Sequence, residues 1–350
     1  MPIVDNKSIE QHRKVGHLLL TGVPGWLTSA LLDSIVAFPP NGLSSIRCFI
    51  QRGVPFDQIA FRRQYPLDLE IVEGDLRDKD SLAMAVGGID TVLHAAAILH
   101  VRHPREWYVI NSDGTRALAE VAAKNNVGRF VFVSSNAAAG RSDSFDHLMV
   151  ETDRPNPLSH YGKSKWLAEQ AVNSLNGAME IVVLRPCMFY GPPVPPRHID
   201  VYQRLLHSKM PLVGDGHFAR SLSHIDNLVQ GCRLAWVHSA AAGQTYYIAD
   251  RSAYTTKQVT EAMAEALGIK VRFLRLPRII SPLAYRLDLA LASAGVYWQT
   301  LHLVGESDWH VGVSCAKAFR ELGYDPHMEL MSGMKQAVEW CRSKGLVEAQ

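Results

Sequence analysis

Cysteine is scarce and unpatterned: the five residues, at 48, 187, 232, 315 and 341, are odd in number and scattered, with no metal-ligand spacing. That excludes a disulfide-stapled scaffold and a cysteine-based zinc site, and it suits a reducing cytoplasm. Net charge is lacking too. A balance of +2 from 36 basic and 34 acidic residues gives no overall field for nucleic acid or an anionic membrane. Arg62-Arg63 and the Arg102/Arg105 pair read as solvated surface. No apolar run crosses a membrane convincingly: residues 279–298 are rich in leucine and alanine, but Arg286 and Asp288 interrupt them. A core or lid helix is expected there, with peripheral membrane contact left open. A Gly-x-Ser-x-Gly elbow is absent, which removes the Ser/His/Asp hydrolase reading. No internal repeat or low-complexity tract stands out. Residues 1–16 are polar with charges of both signs, so a frayed arm is expected rather than a signal peptide.

What is present is 350 residues with 47% apolar content, enough for one large unit and a smaller partner. Strand patterns near 17–21, 46–51, 69–73, 90–95, 129–134 and 180–184 alternate with helical ones. The expected fold is therefore α/β, a Rossmann-type doubly wound parallel sheet with right-handed crossovers. At Pro186 the composition changes, and Pro192, Pro193, Pro195 and Pro196 crowd a span that cannot continue a regular element. Downstream, helices near 199–208, 226–239, 255–267 and 330–344 mix with short strands near 244–248 and 270–275.

Three motifs carry chemistry. Tyr161-Gly-Lys-Ser-Lys165 puts a phenol and an ammonium at i and i+4, on one helix face. A cation near 4 Å in a cleft of effective dielectric about 20 supplies roughly 4 kcal/mol, enough to bring the phenol down by about three pH units. Thr21-Gly-Val-Pro-Gly25-Trp-Leu-Thr28 follows an apolar run and precedes a helical one. Strand, glycine turn and helix N-terminus together seat a pyrophosphate through Gly22, Gly25, Trp26 and Leu27. The third glycine of that pattern is Thr28 here, so the helix is expected slightly farther from its strand. Arg129-Phe-Val-Phe-Val-Ser-Ser135 ends a strand in hydroxyls facing the crevice of an open sheet.

With these motifs the chain resembles the extended short-chain dehydrogenase/reductase group, which includes nucleotide-sugar epimerases and dehydratases, 3β-hydroxysteroid dehydrogenases and dihydroflavonol reductases. Further support comes from Gly74-Asp-Leu-Arg-Asp78, His94-Ala-Ala-Ala97, Asn111-Ser-Asp-Gly-Thr115, Leu184-Arg-Pro186, Tyr190-Gly-Pro192, His224-Ile-Asp-Asn227 and Glu321-Leu-Gly-Tyr324. The resemblance spans about 17–340. It implies a dinucleotide-binding domain over 15–186 plus about 222–250, and a smaller α/β substrate lobe from 187–221 and 251–350. It also implies a homodimer through helices at about 105–126 and 159–175.

The resemblance assigns roles. Tyr161 would exchange a proton with the substrate oxygen, Lys165 would hold the phenolate and the nicotinamide ribose, and Ser135 would hydrogen-bond the same oxygen. Ser134 is its neighbour and a cofactor contact. Asp75 and Leu76 would meet the adenine, with helix capping as the other reading of Asp75. Ala95, Ala96 and Ala97 would let backbone approach the cofactor, Pro186 would border it, and Asn111 would support the site. Gln51 and Arg52 end the second strand where a carboxylate would select NAD(H), so NADP(H) is favoured over NAD(H). His94, His160 and His224 read as packing or capping residues, and no residues read as metal ligands.

For the substrate, a small molecule, the sugar branch carries an asparagine where this chain has Met188. Arg220, after Leu212-Val-Gly-Asp-Gly216, keeps the position that would meet a diphosphate. His224-Ile-Asp-Asn227 and the short stretch 98–110 look closer to the ketone- and sterol-acting branch. The expectation is hydride transfer with a fairly apolar hydroxy/keto compound, with nucleotide-sugar epimerisation or dehydration, and a non-catalytic dinucleotide-binding protein, as alternatives.

Overall fold

The computed structural model describes residues 15–99 and 101–347, so the arm expected over 1–16 lies almost wholly outside the described residues. Seven strands form one parallel sheet: β1 (Gly16–Val23), β2 (Leu43–Gln51), β3 (Leu69–Gly74), β4 (Thr91–His94), β5 (Arg129–Val133), β6 (Glu180–Pro186) and β7 (Gln244–Ile248). Their spatial order is β7-β6-β5-β4-β1-β2-β3. Continuous apolar runs such as Leu18-Leu19-Leu20 and Phe130–Val133 form strands here because helices cover both faces. Alternation then divides them: Leu18 and Leu20 enter one core layer, Leu19 the other.

Strand order reverses between β1 and β4, which pair directly. At such a switch point the loops beyond the carboxyl ends diverge and leave a crevice. Helix α1 (Trp26–Ala37) follows β1, and α2 (His160–Asn173) precedes β6.

Beyond Pro186 the chain builds a second layer. Helix α3 (Pro196–His207) shares a small core with helices Thr256–Leu267 and Leu330–Ser343. Met210–Val213 pairs with Phe273–Leu276, and Met188–Tyr190 with Leu222–His224. Between these pieces the chain returns to the sheet as β7. A buried knot marks the return: Asp250 accepts from Tyr190 Oη (2.6 Å), His224 N (2.8 Å) and Asn227 Nδ2 (2.8 Å). Burial lifts its carboxyl to about 6. Within 251–350, Ala318, Leu322 and Tyr324 depart from the lobe and pack into the sheet's core, because helix Ala316–Leu322 lies against β7. Among the described residues no helix is long and apolar enough to cross a membrane.

Candidate active site

The glycine turn is dictated by proximity. A Cβ on Gly22, whose φ is +90°, would lie 2.8 Å from the Ala96 nitrogen, and one on Gly25 would lie 2.5 Å from the Gly22 oxygen. Thr28 does not wedge the helix away. It is buried, and its hydroxyl donates to the carbonyls of Gly22 (2.9 Å) and Gly25 (3.0 Å), stitching the turn. Helix α1 has no side-chain cap, so its first N–H groups face the turn. Leu27 is core, and the Trp26 ring packs on Phe189 and His198, so these two residues offer the turn their backbone. This cradle of close backbone and uncapped N–H groups fits a pyrophosphate.

A groove of about 830 Å³ leaves the turn, lined by Gln51, Asp75, Leu76, Arg77, Ala96 and Ala97, among others. Asp75 does not cap the following helix. Asp78 does so, accepting from the Asp80 and Ser81 N–H groups, while Asp75 binds Arg77 through Nε at 2.8 Å. That pairing holds the Asp75 carboxyl down to about 2. Arg52, which follows Gln51, leans towards Asp78 at 3.4 Å.

Consecutive residues Ile98 and Leu99 line adjoining cavities: the groove, and a second space of about 500 Å³. The second space is mostly apolar, with Leu158, Pro186, Met188, Phe189, Leu222 and Leu303 around it, and it holds Ser135, Tyr161, Arg197 and Arg220. Tyr161 is partly buried, with its ring edge on Trp107. Lys165 is fully buried. Its Nζ donates to the Val133 carbonyl at 2.8 Å and lies 4.3 Å from the Phe132 ring centre.

The electrostatics differ from the expectation for this pair. Burial pushes the Tyr161 phenol up to about 12 against the opposing pull of a hydrogen bond from Ser135 and the charge of Arg197. Burial likewise brings Lys165 down to about 7, with Glu169 resisting. Desolvation therefore outweighs the Ser135 hydrogen bond and the Arg197 charge, and the phenol stays protonated through the neutral range.

Several expected contacts are relocated. Ser134 Oγ donates to Glu169 Oε1 at 2.6 Å, which leaves Ser135 as the hydroxyl beside Tyr161. Asn111 turns its amide on Ile98, accepting from its N–H (2.9 Å) and donating to its C=O (3.0 Å), so it fixes the loop between the two cavities rather than contacting a cofactor directly. Ala95 packs into the core beside the turn. Arg220 cannot grip a diphosphate with its forked end, because both terminal nitrogens donate to carbonyls of Ala219, Glu306, Ser307 and Trp309. His94 bridges Thr21 and Thr115 and is held near 3 by burial. His160 meets Tyr108, and His224 caps the helix Ile225–Val237.

Other residues emerge only in three dimensions. Glu169 continues the Tyr161/Lys165 face by one more turn and forms a buried two-pronged ion pair with Arg185 (2.6 and 3.0 Å). The i+4 spacing was its signal. Arg197, in the first turn of α3, brings a guanidinium to Tyr161 with Nε pointing at His198 (3.4 Å) and no carboxylate partner among the described residues. No local pattern in the proline-rich stretch announces it. His302 lies between Asp288 (2.8 Å) and Glu306 (3.2 Å) and walls the same cavity.

The chain is similar to known proteins along most of its length. The family model described as NAD dependent epimerase/dehydratase family matches residues 18–249. Protein y4nL of Sinorhizobium fredii is 33% identical over 94% of this chain and 96% of its own length. A 3β-hydroxysteroid dehydrogenase/Δ5→4-isomerase of Mycobacterium tuberculosis is 28% identical over 89% of this chain and 87% of its own. The structure of a dTDP-glucose 4,6-dehydratase of Streptomyces venezuelae, solved with NAD and TYD bound, superposes with a TM-score of 0.75. It is 25% identical and covers 93% of this chain and 97% of that one.

Proposed function

Because the chain belongs to the NAD-dependent epimerase/dehydratase family of extended short-chain dehydrogenases/reductases, we propose that it transfers hydride between a nicotinamide dinucleotide and the hydroxy/keto group of a fairly apolar small molecule. The observation that carries this reading is the placement of Ser135 and Tyr161 in a mainly apolar cavity adjoining the groove from the glycine turn.

When bound, the dinucleotide supplies or accepts the hydride. Backbone N–H groups at the start of α1 would hold its pyrophosphate, and Lys165, on the Tyr161 face of α2, would serve the nicotinamide ribose. Ser135 orients the substrate oxygen. Tyr161, kept protonated by burial, donates its proton to that oxygen during reduction and must lose it to act in oxidation. Oxidation should therefore accelerate as pH rises, whereas reduction keeps its acid throughout the neutral range.

Met188 cannot donate to a diphosphate and Arg220 is committed to carbonyls, which favours an apolar ketone over a nucleotide sugar. A panel of hydrophobic β-keto compounds, sterols and UDP- or dTDP-sugars, followed at the nicotinamide absorbance, tests the choice. Consumption of reduced cofactor with an apolar ketone is the expected outcome. Stoichiometric NAD retained in freshly purified protein, with turnover of a nucleotide sugar, would overturn it.

Cofactor preference follows from β2. Gln51 stands where a carboxylate would take the ribose 2′-hydroxyl, Arg77 lines the groove and exposed Arg52 follows Gln51, so NADP(H) is preferred. Changing both arginines to alanine should weaken NADPH binding about tenfold or more while leaving NADH binding almost unchanged, as measured by fluorescence titration. Equal losses for the two cofactors would remove the 2′-phosphate assignment.

A further inference from the structure

The cavity that holds Tyr161 contains an uncommitted cation. Its charged and imidazole side chains are Arg197, Arg220, His302 and Glu306. Arg220 gives both terminal nitrogens to backbone carbonyls. Glu306 faces His302 Nε2 at 3.2 Å, and Asp288 holds the other ring nitrogen at 2.8 Å. Arg197 alone keeps its fork open. Its Nε donates to His198 Nε2 at 3.4 Å, and among the described residues neither terminal nitrogen has a hydrogen-bond or ion-pair partner. His198 takes no share of the charge, because burial and then the neighbouring guanidinium hold it down to about 4.

The fold builds this cation into place. Arg197 follows Pro195 and Pro196 at the start of α3, where the rings fix the backbone of the first turn. The adjacent His198 ring lies edge-on to Trp26, with ring centres 5.7 Å apart, and pins the turn from its other side. Arg197 is half-buried and lines the Tyr161 cavity, whereas the groove leaving the glycine turn is lined by other residues. The guanidinium therefore stands on the substrate's side of the site. A cation drawn from water without a counterion is unfavourable, and a bound anion offsets that desolvation. The planar fork suits a carboxylate, which it takes through two parallel N–H donors. A phosphate would bring close to two negative charges to one free cation, so a carboxylate is the better match.

We propose that the substrate is a keto or hydroxy acid with an apolar body, its carboxylate held by Arg197 and its reacting oxygen by Ser135 and Tyr161. This deepens the hydride-transfer reading and rests on it for the place of the reacting oxygen; the carboxylate subsite stands without it.

Two measurements on the full chain separate the subsite from the chemistry. Octanoate carries the acid and an apolar chain but no carbonyl to reduce. With NADP+ present, calorimetry should show it binding about tenfold or more tightly than octanol; Arg197→Gln should abolish that preference and Arg197→Lys should keep part of it. In turnover, phenylpyruvate or benzoylpropionate should outperform its own methyl ester, and Arg197→Gln should raise KM for the acid by about 10- to 100-fold, to the level of the ester. The glutamine variant should melt no lower than the wild type, since it breaks no ion pair. Equal binding of octanoate and octanol by the wild type, or an acid preference that survives Arg197→Gln, overturns the proposal. So does a variant whose kcat falls alike for acid and ester with KM unchanged, because the guanidinium then acts only on the phenol, or one that loses NADPH affinity instead, which gives Arg197 to the cofactor. Octanoate preference without reduction of any ketone keeps the subsite and removes the hydride reading. Reduction of acid and ester at equal KM keeps the hydride reading and removes the subsite.

Discussion

Tyr161→Phe lowers turnover by about 10²–10⁴-fold while dinucleotide affinity stays nearly unchanged, as read from steady-state rates and a cofactor titration. The substitution removes one oxygen and little else. The ring keeps its edge contact with Trp107, and Ser135 still accepts from the Ala137 N–H at 3.2 Å. What disappears is the proton that burial keeps on the phenol through the neutral range. The rise of the oxidation rate with pH should disappear with it. Retained activity would take Tyr161 out of the mechanism.

Lys165→Met should give the opposite signs for activity and stability. Its ammonium is fully buried, with a carbonyl and an aromatic face as neighbours, and Glu169 is already neutralised by Arg185. Methionine fills a similar volume without a charge to desolvate, and removing Lys165 leaves no buried carboxylate unpaired. The cofactor-free variant should gain about 1–4 kcal/mol while turnover collapses. The sign of the pH dependence follows from burial. Lys165 titrates near 7 in the fold but near 10.5 when exposed. Between those values the unfolded chain holds more protons, so wild-type stability climbs with pH. The variant's advantage is therefore largest below about pH 7 and shrinks towards pH 10.5, which denaturant titrations at several pH values would show. A destabilised variant at pH 6 would mean that the ammonium is a structural asset.

The sheet was legible because its strands are continuous apolar runs bounded by glycine, and because order along the chain restricts parallel topologies to a few. The glycine turn and the Ser135, Tyr161 and Lys165 positions could be read for the same reason: each depends on local spacing. Tyr161's acidity could not. It depends on how deeply the fold buries the phenol, and the simple pairing argument predicts the wrong sign of shift. Arg220 misleads similarly, since three of its four carbonyl partners lie 86–89 residues downstream. On helix Ile280–Ser293 the sequence shows leucines and small residues at helical spacing but not which set faces inward. Small residues inside and leucines outside is a tertiary choice.

On the proposed function one dinucleotide would occupy both cavities, with adenosine in the groove at Gln51 and Asp75 and the nicotinamide beside Tyr161. A crystal structure of the chain grown with NADP(H) measures this directly. Nicotinamide C4 is expected to face the space shared by the Ser135 and Tyr161 hydroxyls. A nicotinamide ring lodged elsewhere, with that space open only to solvent, would contradict it.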